Sequence, residues 1–322
     1  MSSYKVHALK TVVIQLCHLH FLLFIISKKN GDVVILNWIE SSLRTENGRF
    51  RPLGFIKLCL FLSMIKGLKL PFLWVRHTIL PHDVHGLAAF FAKWSIAILT
   101  KTADRVVVHS KDFVTDKKHI YIPHPLYSHK PPINQPFSDP LKILYFGIYR
   151  DYKKLDEQLM IWPKDISLTL IGTGPQYLVK KLKTISNRRG LDTTILNEFI
   201  REEDLPEMFA NFDAILIPHI DSSAIVSGVF FQAKTYGNLI LLRGQRHAAQ
   251  FGDADGLYNF DNAQELAAAI NSLTEESKTK SRSEIRERSE KTNGQIKHQT
   301  MWQEAINLVS KESSDDNMDT HA

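Results

Sequence analysis

Cysteine is almost absent: Cys17 and Cys59 are the only two in 322 residues. That excludes a disulfide scaffold or a zinc knuckle and suits a reducing compartment, so a cytoplasmic protein is expected. No repeat of solenoid period is present. No zinc, helix-turn-helix or aromatic-rich RNA-binding signature is found, which argues against nucleic acid as a partner. A long uninterrupted apolar run is also missing. Residues 11–27 come nearest, but Gln15, His18 and His20 break a stretch of only 17 residues, too short for a comfortable membrane span. No small-residue cleavage site follows it, which argues against a secretory signal. The stretch reads instead as a buried helix. What remains, 44% hydrophobic and 23% charged, is a core-forming globular chain; disorder, collagen and coiled coil are excluded. Its length fits one large domain or two of ordinary size.

Charge is divided unevenly along the chain. Residues 1–145 carry 19 Lys and Arg against 8 Asp and Glu, and the remainder 21 against 26. A basic first half attracts phosphate or an anionic membrane surface through its long-range field. Within it, residues 50–74 interleave Lys57, Lys66 and Lys69 with Phe, Leu, Ile and Met. That pattern fits a helix lying in a membrane interface, or a core helix with its lysines in water.

Strand-like runs at Val33–Leu36, Phe72–Val75 and Arg105–Val108 end in polar or turn residues and are separated by helical stretches, the rhythm of a parallel sheet with crossover helices. Six prolines in residues 123–140 then break both ladder and helix and predict a domain boundary. The rhythm restarts at Lys142–Phe146, Ser167–Ile171, Thr193–Leu196, Ala214–Pro218 and Leu239–Leu242. Residues 262–273 read as helix, 274–292 as a charged solvated stretch, and 295–311 as a last helix containing Trp302. The acidic tail reads as disordered.

In open parallel sheets ligands sit beyond the carboxyl ends of the strands, and four such places stand out. At Gly147-Ile-Tyr-Arg150-Asp-Tyr-Lys153, a glycine permits close backbone approach and the cations could clamp a diphosphate; a surface turn with solvated charges reads the same. Gly172-Thr-Gly174 lacks the third glycine of a dinucleotide fingerprint and reads as a tight turn. Near Ser227-Gly228, small residues open a helix whose amides and dipole suit an anion, with Gln232 placed to reach a hydroxyl; ordinary N-capping is the alternative. Trp74-Val-Arg-His77 through His82, Asp83 and His85 suggests acid–base work. A metal is the poorer reading, because the histidine intervals are irregular and no second ligand cluster accompanies them.

These four places, in this order on two tandem halves, resemble the GT-B glycosyltransferases, most closely the family 4-like enzymes of bacterial exopolysaccharide assembly. ILYFGIYRDYKKLDEQL is similar to the donor loop, EFIREEDLPEMFANFDAILIPH to the nucleotide-side loop, helix and strand, and SSAIVSGVFFQAKTYGNLILL to the diphosphate-binding helix. Asn37-Trp38-Ile39-Glu40 and the W-x-x-H-x-x-x-P-H-D segment are similar to acceptor-domain loops. The resemblance implies an α/β fold of two Rossmann-like doubly wound domains facing a central cleft, with a C-terminal helix crossing back to the first. The implied domains are 1–130 on the acceptor side, 141–295 on the donor side, 296–311 as crossover helix and 312–322 as disordered tail. The family's opening strand has no counterpart, so the first domain is expected to lack it.

The implied activity is transfer of a hexosyl unit from a UDP- or GDP-sugar to a lipid-linked or oligosaccharide acceptor, by an enzyme held peripherally at the inner face of the plasma membrane. No cofactor or metal is implied. Gly147, Arg150, Lys153, Ser227 and Gly228 would hold the diphosphate, Gln232 the ribose, and backbone near Phe199 and Ile200 the base. Trp38 and Glu40 would contact the acceptor. Asp83 would be the general base of an inverting reaction, with His82 second and His77 an orienting group. The family's two donor-helix glutamates map onto Ala224 and Gln232, so a non-catalytic GT-B scaffold stands as the alternative. A sugar-nucleotide epimerase on the same fold is a further one, but it would gain nothing from a basic, apolar first half.

Overall fold

The computed structural model describes residues 12–14, 33–37, 50–79, 86–127, 135–218, 226–244 and 256–319. The chain divides into two compact units. One takes the chain up to Pro123 and again from His298; the other takes most of it from His124 to Lys297.

Among the described residues the first unit holds five parallel strands laid side by side in sequence order. They are β1 (Val12–Ile14), β2 (Val34–Asn37), β3 (Phe72–Arg76), β4 (Arg105–Val108) and β5 (His119–Tyr121). Strands covered on both faces must be apolar throughout, which is how Phe72-Leu-Trp-Val and Val106-Val-Val read. Val34, Leu36, Phe72, Trp74, Val106 and Val108 bury one face against α1 (Pro52–Gly67) and α2 (Leu87–Thr102). The alternate residues Val33, Ile35, Leu73, Val75 and Val107 pack on Ala305, Ile306 and Val309 of the last helix, α9 (Gln295–Asp319), with Trp302 half-buried beside them. The terminal helix therefore returns to the first unit, as expected.

The second unit holds β6 (Ile143–Phe146), α3 (Leu155–Ile161), β7 (Leu168–Gly172), α4 (Gln176–Arg189), β8 (Thr193–Asn197), α5 (Leu205–Ala210) and β9 (Ala214–Ile217). It continues with α6 (Gly228–Tyr236), β10 (Leu239–Arg243), β11 (Leu257–Phe260), α7 (Ala263–Ser277) and α8 (Arg282–Asn293). Its six described strands are parallel, in the order β11-β10-β9-β6-β7-β8. The chain winds outward from β6 to β8, then jumps to β9 and winds the other way, so β6 and β9 flank the topological switch point. Helices α3, α4 and α7 cover one face, and α5 and α6 cover the other. The β6–β9 ladder joins only Ile143 to Ala214 and Leu144 to Ile215, whereas β6–β7 pairs four residues on each strand. The two strands are laced at their amino ends and part towards their carboxyl ends.

Asp213, immediately before β9, holds that laced end. Its side chain is 1% exposed. It accepts from the backbone amides of Ser138 (3.1 Å) and Lys142 (2.8 Å), which lead into β6. Arg282, at the start of α8, donates to it at 2.7 Å and to the Phe212 carbonyl at 3.0 Å, and lies over the Phe137 ring. The described ends of the proline-rich segment are tied to the second unit too: Leu126 N donates to Asn293 O and Tyr127 N to Thr235 Oγ1.

Three readings change, and two strands are added. Val12–Ile14, within the run expected to be helix, forms a strand, consistent with its consecutive β-branched residues. β5 is only three residues long, and β11 is partly exposed over most of its length, so neither shows the continuous buried apolar run of the other strands. The charged stretch after residue 274 continues α7 and then forms α8. A capping box at Ser281 and Glu284 starts α8, and Arg282, Ile285 and Ser289 are buried. The tail, expected to be disordered from residue 312, is helical as far as Asp319; no Gly or Pro follows Gly294 to stop the helix.

Removing one partner of a buried ion pair leaves the other charged and unsatisfied, which typically costs about 3–5 kcal/mol. Asp213→Ala is expected to lose that much stability in urea denaturation of the whole chain, with the larger effect on the second unit.

Candidate functional site

The loop after β6 is fixed before any ligand arrives. Gly147 has φ 138°, a conformation that disfavours any side chain. Its amide donates to Ile171 O (3.1 Å), and that of Tyr149 to Thr173 O (2.7 Å). Tyr145 and Tyr149, both buried and stacked at 5.9 Å, donate their hydroxyls to Ile148 O and Leu196 O. Gly172 is required by this contact: a Cβ there would lie 1.8 Å from the Gly147 carbonyl oxygen. Asn197 exchanges hydrogen bonds with both backbone groups of Gly174. The glycines at and beyond the end of β7 therefore serve loop-to-loop packing, in keeping with a tight turn rather than a fingerprint.

Upon this platform stand two cations. Arg150 is exposed. Lys153, in the short turn that follows, brings its ammonium over the Tyr145 ring (5.6 Å to the centroid) and 3.1 Å from where a Gly147 Cβ would lie. Burial alone pushes the Lys153 ammonium down to about 8. Among the described residues no carboxylate pairs with it, and the nearby Asp151 is engaged with the Tyr177 hydroxyl. A desolvated, unneutralised cation above a glycine is a ready partner for an anion.

Helix α6 supplies the second component. Ser227 caps it without a side-chain hydrogen bond, and its first turn holds no acid. Its first amides and positive dipole end are thus not consumed by the residues that usually neutralise them. Gly228, Val229 and Gln232 form its open face, the remainder being buried. The Tyr127 hydroxyl lies 3.2 Å from where a Gly228 Cβ would stand. Because β6 and β9 are neighbours, the Gly147–Lys153 loop and the α6 start belong to the same pole of the switch point.

The third component follows β8. Phe199 is 78% exposed, while Ile200 packs into the apolar cluster that also takes in Phe146, Val226, Val229 and Tyr127. One cluster thus gathers the flanks of all three sequence segments. Tyr127 was not legible as a site residue, because it stands in a proline-rich stretch that signals only a boundary.

In the first unit, His77 follows β3 and its Nε2 donates to the Asn37 amide oxygen at the end of β2. Its ring lies 5.3 Å from that of His109 after β4. His109 Nδ1 donates to Ile122 O at 2.8 Å, and burial lowers its pKa. His298 of α9 accepts from Trp302 Nε1 at 3.0 Å; burial and then His109 push it down to about 4. Both buried imidazoles are neutral at ordinary pH, and His109 and His298 carry no distinguishing sequence signal. Trp38, Glu40, His82 and Asp83 lie outside the described residues. Among those described, no group of three or more His, Cys, Asp or Glu is arranged to hold a metal ion.

No family model matches the chain, and no curated protein matches it. Solved structures do. The lipopolysaccharide outer core galactosyltransferase WaaB is similar with a TM-score of 0.58 at 13% identity, over 90% of this chain and 79% of that one. Sucrose-phosphate synthase from Thermosynechococcus elongatus gives 0.54 at 15% identity, over 89% and 74%. The chain has the GT-B fold. The pneumococcal O-GlcNAc transferase GtfA, solved with UDP and GlcNAc, gives 0.56 at 13% identity, over 90% of this chain and 59% of that one. At such identities the likeness extends to the GT-B architecture and not to an activity.

With the Lys153 ammonium at about 8, its pull on an anion is complete at lower pH and lost as pH rises through that value, by up to about tenfold per pH unit. Calorimetric titration of the full chain with pyrophosphate across this range is expected to follow that curve, and Lys153→Met to flatten it.

Proposed function

We propose that the chain is a glycosyltransferase moving a hexosyl unit from a UDP- or GDP-linked sugar to a lipid-linked saccharide in exopolysaccharide or surface-glycan synthesis, at the inner face of the plasma membrane. One observation carries this reading: a desolvated lysine, a helix start without a side-chain cap bond and an exposed aromatic are gathered at the carboxyl pole of a Rossmann-ordered sheet. GtfA, solved with UDP and GlcNAc, and the galactosyltransferase WaaB are in keeping with it.

In this reading the second unit holds the donor. The bond between the sugar's anomeric carbon and the diphosphate oxygen breaks, and negative charge grows on the departing diphosphate. Arg150, Lys153 and the Ser227 and Gly228 amides neutralise that charge, the electrostatic stabilisation such a step requires. Gln232, one turn beyond Gly228 on the open face of α6, bonds the ribose, and Phe199 with the Ile200 backbone receives the base. The acceptor hydroxyl gives its proton to Asp83 in an inverting reaction, or failing that to His82. His77, held by Asn37, orients the donor sugar or the acceptor.

A second reading, a GT-B scaffold that binds without turning over, is favoured by Ala224, which stands where the resemblance places a carboxylate. Binding and turnover separate the two readings. A thermal-shift screen of the full chain against UDP- and GDP-sugars is expected to show stabilisation by one base. Arg150→Ala should cost about 1.5–3 kcal/mol of diphosphate binding; unchanged affinity would remove Arg150 from the site. With donor and acceptor identified, Asp83→Asn is expected to lower turnover about 100-fold while nucleotide affinity holds. Turnover within a few fold of the parent would pass the base role to His82.

A further inference from the structure

Helices α1 and α2 are apolar on the side they bury and also on the side they expose. On α1, Leu53, Ile56 and Leu60 recur at helical spacing along the outer face, Leu53 being 70% exposed. On α2, Leu87, Phe90 and Trp94 do the same, Leu87 at 72% and Phe90 at 64%. The two stripes are joined by an aromatic junction: Phe91 stacks on Phe50 at 4.2 Å, and Phe55 on Trp94 at 5.1 Å. A helix apolar all round needs an apolar environment on both sides, and contiguous exposed patches of this kind mark interaction surfaces.

Charge decides the occupant. Neither helix contains a single Asp or Glu. Lys57, Lys93 and Lys101 are exposed on them, with stems long enough to keep their ammonium groups at a polar boundary while the leucines and aromatics go deeper. Against the same face of a second copy of the chain, these lysines would find other lysines and no carboxylate on the facing helices. Against an anionic bilayer they are complementary, and Trp94 is of the residue type that prefers the headgroup level. No described helix is long and apolar enough to cross a membrane, so the contact is made in the interface plane.

We infer that the outer face of α1 and α2 is a docking surface for an anionic phospholipid bilayer, with Leu53, Ile56, Leu60, Leu87, Phe90 and Trp94 entering the interface and Lys57, Lys93 and Lys101 facing the headgroups. The inference deepens the membrane-face reading above by assigning the surface that makes the contact, and α2 belongs to it only because the fold sets it beside α1.

Sedimentation of the full chain with vesicles tests this. The protein is expected to pellet with mixed phosphatidylglycerol–phosphatidylcholine vesicles, to be released by salt, and to ignore vesicles of phosphatidylcholine alone. The double variant Leu60→Glu with Phe90→Glu changes only exposed positions and should keep the parent circular dichroism while lowering the bound fraction about tenfold or more. Met160→Glu, at an exposed apolar position on α3, should bind as the parent does. Failure of the parent to pellet, or equal binding by the double variant, overturns the proposal. So does a parent dimer in light scattering that the double variant dissociates without any vesicle binding. Pyrophosphate titration of the same preparations separates the readings: intact anion binding without vesicle binding sinks the bilayer surface and leaves the donor site standing.

Discussion

The Asp213 carboxylate is the point on which the second unit turns. A Rossmann-ordered sheet must bring its first and fourth strands together although about seventy residues of other structure separate them, and here only two residue pairs lace them. Asp213 reinforces that short ladder from one end. It binds the amides that lead into β6, precedes β9 itself, and draws in Arg282 from α8. Burying the pair is costly in isolation, and the arrangement is viable because the carboxylate receives three donors and the guanidinium also reaches a carbonyl and an aromatic face. With the amino ends held, the strands can part at the other pole, where backbone and cations are left available.

Much of this sheet was legible because buried parallel strands write themselves as apolar runs ending in glycine or polar residues. Ile143–Phe146 before Gly147 and Leu168–Gly172 are of that kind. What was not legible falls into two physical classes. Short or half-exposed strands such as His119–Tyr121 and Leu257–Phe260 bury too few side chains to write a continuous apolar run. Pairings across long sequence separations leave no local mark: nothing near Asp213 announces Arg282, and nothing near Gly172 announces Gly147. Helix α8 was obscured by its own composition, since a dense charge pattern hides the three residues it buries.

The site shows the same division. Adjacency to strand ends brought Gly147, Arg150, Lys153, Ser227 and Gly228 into view. The desolvation that sets Lys153 apart from its neighbour Lys154 depends on Tyr145 and the closed loop around it, which only the fold reveals. In the first unit, the histidine after β3 was visible in its motif, while His109, whose ring lies tilted beside it, stood in an ordinary strand ending. Spacing of polar residues identifies where a ligand could lie; the dielectric surroundings of each charge arise from packing.

The contact between the loops after β6 and β7 has an evolutionary consequence. Any side chain at Gly172 would displace the carbonyl of Gly147, so these two loops cannot drift independently; a lineage altering one must compensate in the other at once. Phe199, with its side chain in solvent, is under no such constraint. Changes of preference in descendants of this chain should therefore accumulate first around Phe199, while the paired glycine loops are inherited together as a single unit.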